Sequence, residues 1–87
     1  MAKFQGAVIK EQGVTFAIVV VQNHVVQMQH EARKTISDFE RFFPGMPVIL
    51  MAQNSRGVPT YYGRPDIAKF MSRVPLQAIP WKEYTVS

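Results

Sequence analysis

The side chains of this chain best suited to chemistry fall within one stretch, residues 48 to 71, which carries Arg56, Tyr61, Tyr62, Arg64, Asp66 and Lys69. Guanidinium and ammonium groups interleaved with aromatic rings suit recognition: the cations meet phosphates or carboxylates, and the rings stack on bases or pack on partner side chains. The stretch has no thiol, no phosphate-binding glycine motif and no set of metal-binding side chains, so its chemistry is that of binding rather than reaction. Arg56, Tyr61, Tyr62, Arg64 and Lys69 are the expected ligand-contacting residues. No catalytic residue, metal ligand or cofactor is expected. Asp66 reads as an acid at a helix start paired with Arg64.

The other reactive side chains are scattered. His24 and His30 are the only histidines and lie six apart, which does not place two ligands on one helix face. His24 could act as a base only if the fold brought it to residues of the Asn54 to Arg56 loop. Ser37 and Ser55 have no paired base in the sequence, and nothing resembles a nucleophile elbow. Asn54-Ser55-Arg56-Gly57 offers backbone N–H groups to a phosphate but lacks the Gly-x-x-x-x-Gly-Lys pattern, and it reads first as a hairpin loop.

These residues need a scaffold, and hydrophobic periodicity outlines one. Phe4 to Lys10 and Val14 to Val21 read as strands of a hairpin closed by Glu11-Gln12-Gly13. Both alternating sets of the second strand are apolar, which predicts a central strand covered on both faces. From Asn23, its expected N-cap, the stripe Val25, Met28, Ala32, Ile36, Phe39 and Phe43 predicts a helix ended by Pro44-Gly45. The β-branched Val25 and Val26 leave open a shorter helix over 29 to 43. Pro47 to Ala52 predicts a buried strand and Val58 to Tyr62 an edge strand, since Pro59 cannot donate to a ladder. Gly63-Arg64-Pro65-Asp66 opens a second helix that buries Ile67, Phe70, Met71 and Val74 and ends at Pro75. Leu76 to Trp81 reads as an extended segment that packs Leu76, Ile79 and Trp81 without regular structure. The expected fold is α+β in the order ββαββα: a single domain over 1 to 87, with one mixed four-stranded sheet and two helices packed on it. Its second and third strands are expected to run parallel, joined by a right-handed crossover.

Arg56-Gly57-Val58-Pro59-Thr60 resembles the segment of thioredoxin-like proteins in which a proline, often cis, begins a strand facing the active site, and the strand, helix, strand run of 14 to 52 suits that fold. Where the family carries its Cys-x-x-Cys pair, this chain has Asn23, His24, Val25 and Val26. The resemblance therefore implies shared architecture and no redox activity.

Composition bounds the rest. The chain has 87 residues, no cysteine and a formal charge of +4. Residues 45 to 87 contribute five basic and two acidic side chains, against five and four in residues 1 to 44. The basic second half is compatible with polyanion binding. With no disulfide framework and no long apolar run, the expected setting is the cytoplasm, with no membrane partner. The leading expectation is a small non-enzymatic binding or assembly module that pairs with a protein or with itself as a homodimer, using the edge strand of Tyr61 and Tyr62 and anchored by Trp81 or Tyr84. The alternative is a nucleic-acid-binding domain using the basic and aromatic surface of residues 56 to 73.

Overall fold

The computed structural model of the chain describes residues 2–11 and 13–86. Gln12, in the expected hairpin turn, lies outside them. The alternating apolar runs near the N-terminus form β1 (Ala2–Glu11) and β2 (Val14–Val20), antiparallel partners from Gly6 opposite Val19 to Glu11 opposite Val14. Gly13, at φ +79°, adopts the left-handed conformation that glycine occupies without Cβ strain. Two helices, α1 (Asn23–Gln27) and α2 (Gln29–Glu40), lead to β3 (Val48–Gln53), which is parallel to β2; β4 (Pro59–Tyr62) returns antiparallel to β3. After α3 (Pro65–Met71) and a single 3-10 turn at Leu76–Ala78, β5 (Lys82–Val86) pairs antiparallel with β1. The result is one mixed sheet in the order β4-β3-β2-β1-β5, with β2 at its centre as its two-sided apolar pattern predicts.

Both faces of this sheet are roofed. On one, Phe16, Ile18, Ile49 and Met51 meet Ile67 and Met71 of α3 and Ile79 behind it. On the other, Ala17, Val19, Val48 and Leu50 meet Val26 of α1, Ala32 of α2 and Phe43. The described residues contain no helix long and apolar enough to cross a membrane.

Several expectations need correction. The sheet has a fifth strand, because Lys82–Val86 continues beyond the prolines and is held by Tyr84 stacked on Phe4. The long helix is broken at Met28, whose φ of −108° and ψ of 106° are extended. Val26 and Ala32 are both buried yet six positions apart, and six steps of about 100° leave them far out of phase on one helix, so the break resets the phase and turns each inward. Met28, expected in the apolar stripe, is instead 60% exposed. Asn23 does not cap the helix; it lies inside α1, and its predecessor Gln22 makes no side-chain capping bond. Pro59 begins an edge strand, but no described peptide bond is cis, so the Val58–Pro59 bond lacks the isomer common in thioredoxin-like proteins.

At the margin of the second core the packing is aromatic. Phe4 meets Phe39 at 4.9 Å, Phe42 at 5.7 Å and Phe43 at 6.2 Å, and stacks on Tyr84 at 5.1 Å. Arg41 sits 4.8 Å from the Phe42 ring centre and Lys82 5.6 Å from that of Tyr84, so cations cap the cluster where it meets water. These contacts bind both the last strand and the end of α2 to β1.

Candidate functional site

The expected contact residues do not form one surface. Arg56 lies in the β3–β4 loop and Arg64 just past the far end of β4, so a four-residue strand, about 13 Å at 3.3 Å per residue, separates them. Tyr61 and Tyr62 take opposite faces. Tyr61 packs against the core under α3, and Tyr62 against the core under α1 and α2. Neither ring is a free platform for a base. Lys69 is exposed on α3. Tyr62 and Arg64 share a shallow depression of about 340 Å³ that Arg33 and Glu40 also line.

Arg64 is already engaged. Its Nε donates to Asp66 Oδ1 at 2.9 Å and its Nη2 to Oδ2 at 2.9 Å, a two-pronged ion pair at the start of α3. These hydrogen bonds hold the Asp66 carboxyl below its ordinary pKa, so the pair is intact at neutral pH and its contribution is lost only as acid protonates the carboxylate.

The β3–β4 loop is closed on itself. Asn54 Oδ1 accepts the N–H groups of Arg56 at 2.9 Å and Val58 at 3.1 Å, the Gly57 N–H donates to Asn54 O at 2.9 Å, and Gln53 Nε2 donates to Gly57 O at 3.0 Å. The backbone N–H groups of Asn54, Arg56, Gly57 and Val58 are thereby spent on the turn. Replacing Asn54 with alanine removes two of these bonds and is expected to cost about 1 to 2 kcal/mol, read as a lower urea midpoint at unchanged slope. His24 is not joined to this loop: its Nε2 is 3.7 Å from Glu31 Oε1, and among the described residues no hydrogen bond or ion pair links it to Asn54, Ser55 or Arg56.

Tyr61 carries one buried polar group without a partner. Its ring is half-buried, yet its hydroxyl oxygen is closed off from solvent and makes no hydrogen bond. Burial raises the phenol pKa above its ordinary value. The native state thus favours the protonated phenol, and that stabilisation is lost as pH rises from about 10 through the raised native value. Tyr61→Phe is expected to be neutral or to stabilise by up to about 1 kcal/mol, and to lessen the fall in melting temperature above pH 10; urea and thermal melts of both proteins check it.

What remains open is strand edge, and hydrogen-bond parity shows which edges can still pair. The N–H groups of Ala17 and Val21 donate to Pro47 and Met51 at 2.9 Å, so odd-numbered residues of β2 bond to β3 and even-numbered ones to β1. Ile18, Phe16 and Val14 lie opposite Ala7, Ile9 and Glu11, which therefore bond inward. Ala2, Phe4, Gly6, Val8 and Lys10 point the other way, and β5 takes only the first three, through Val86, Tyr84 and Lys82. Continuing that register would set Val8 opposite Pro80, which has no N–H, and there the chain closes its own tight turn, Trp81 N–H to Ile79 O at 2.8 Å. Among the described residues nothing bonds the N–H or C=O of Val8 and Lys10.

By the same parity, Pro59 and Tyr61 face outward on β4, leaving one N–H on that edge. On β5, Glu83 and Thr85 face outward, with the exposed charges of Lys82 and Glu83 along the strand and Lys3 Nζ 3.5 Å from Glu83 Oε1. Trp81 and Tyr84, expected as exposed anchors, are instead half-buried against the two cores. The β1 edge was missed in the sequence because it depends on which strands flank β1; Pro80 was its one local signal. No family model matches the sequence, and neither a curated protein nor a solved structure matches it.

Proposed function

We propose that the chain is a small non-enzymatic module that assembles with protein through the edges of its sheet. One observation carries the reading: the faces of the sheet are roofed by apolar packing, while backbone donors and acceptors stand open along its edges. Unpaired strand edges are templates for another strand, and pairing them needs no catalytic group. The nucleic-acid alternative draws less support, since Arg64 is held by Asp66, both tyrosine rings pack inward and Arg56 lies at the opposite end of β4.

An amide NMR series on labelled protein tests the choice. Concentrating the protein is expected to shift strand-edge amides, while short single- and double-stranded oligonucleotides at two salt concentrations shift none. Salt-sensitive shifts clustered on Arg56, Arg64 and Lys69, with edge amides unmoved by concentration, would overturn the assembly reading in favour of nucleic acid.

A further inference from the structure

The open half of β1 is the edge best built for pairing. Val8 and Lys10 present two N–H and two C=O groups with no partner, and Val8 is 42% exposed, high for an apolar strand residue. Beside them runs a groove of about 320 Å³ whose apolar wall comes from Ile9, Phe70, Met71, Val74, Ala78 and Pro80. The β4 edge keeps a single outward N–H and the β5 edge carries the Lys3–Glu83 ion pair, two features that oppose strand addition; the β1 half-edge keeps both its N–H groups, with Lys10 the one charged residue among its outward-facing positions.

We infer that this half-edge pairs antiparallel with the same half-edge of a second copy, across a twofold axis at Ile9. The inference rests on the assembly reading and names its partner. An isologous pair must satisfy itself, so only registers that set outward-facing residues against each other qualify. Val8 opposite Val8 would drive Lys10 against Gly6, whose edge β5 already fills. Lys10 opposite Lys10 sets like charges face to face. Val8 opposite Lys10 satisfies every open donor and acceptor from Val8 to Lys10 on both copies and brings Ile9 against its own mate in the close, non-hydrogen-bonded position.

The lengths also agree. In this register residues 7 to 11 of one copy lie opposite 11 to 7 of the other, and β1 leaves the line at Glu11, where further pairing would collide with Lys82 of the neighbouring β5. The stem of Lys10 covers exposed Val8, and the two grooves meet at the paired Ile9 side chains. Four backbone hydrogen bonds and a small apolar contact make a weak dimer, formed at high micromolar to millimolar protein.

Sedimentation of the full chain up to about 1 mM tests this, with proline placed on two different edges. Lys10→Pro removes an outward N–H that the fold does not use, so circular dichroism is expected to stay unchanged while the dimer weakens at least about tenfold, two of its four hydrogen bonds being lost. Thr85→Pro removes an outward N–H from β5 and is expected to leave the dimer intact. Because the chain has no cysteine, Ile9→Cys places a single thiol on the twofold, where oxidation is expected to give a disulfide-linked dimer. A wild-type chain that stays monomeric throughout overturns the inference. A dimer that survives Lys10→Pro but not Thr85→Pro overturns this edge while leaving assembly through a strand edge standing.

Discussion

Phe4→Ala is expected to cost about 3 to 5 kcal/mol, the range for removing a large packed aromatic side chain, out of a total stability of about 5 to 15 kcal/mol for a domain of this kind. The side chain is only half-buried, yet it contacts four rings, between 4.9 and 6.2 Å from its centre, and two of them, Phe39 and Tyr84, tie α2 and β5 to β1. β5 is the edge strand added last in the chain and is joined to the sheet by β1 alone. Removing Phe4 therefore loosens β5 before it unfolds the two main cores. Denaturant melts measure the total loss, and amide exchange is expected to speed first at Tyr84 and Val86. Once β5 frays, the whole outward edge of β1 is unpaired, so the variant is also expected to aggregate more readily on heating, followed by light scattering. A loss below about 1 kcal/mol would mean that the aromatic cluster is a surface ornament and that backbone pairing alone holds β5.

Gly63→Ala is expected to cost about 2 to 4 kcal/mol, from backbone strain and overpacking together. Gly63 links β4 to α3 at φ +151°, a conformation that side chains with a Cβ rarely adopt. A Cβ there would lie 2.7 Å from Ile49 Cδ1 and 3.2 Å from the Val48 carbonyl oxygen. Ile49 is fully buried, so it has little room to yield. The expected readout is a lower denaturation midpoint together with shifted resonances at Tyr62 and Arg64, which share a surface depression with Gly63. Unchanged stability would show that the connection relaxes and that the glycine is incidental.

How much of this was legible in the sequence depended on whether the signal was local. The two-sided apolar pattern of Val14 to Val20 announced a central strand, and Pro59 announced an edge, because in each case the residues themselves carry the constraint. The break at Met28 was half-visible: Val25 and Val26 weakened the helix reading, but the need to bury both Val26 and Ala32 arises only against the sheet. β5 was hidden because Tyr84 is held by Phe4, eighty residues earlier, while Pro75 and Pro80 mark the approach as irregular. The expected contact residues failed to gather for a related reason. Arg56, Tyr61, Tyr62 and Arg64 are neighbours in sequence, but an extended strand sends alternate side chains to opposite faces and its two ends far apart. The open edge of β1 is a property of pairing parity and of a proline seventy residues away, which no window along the chain contains.

The central claim is that the chain assembles through the free half of β1, and residue-by-residue amide exchange on labelled protein, first dilute and then concentrated, tests it most directly. The account predicts an alternation in dilute protein: Ala7 and Ile9 protected by β2, Val8 and Lys10 exchanging as fast as outward-facing Thr85. On concentration, Val8 and Lys10 alone should gain protection. Val8 and Lys10 as well protected as their neighbours in dilute protein, or as fast in concentrated protein as in dilute, would contradict it.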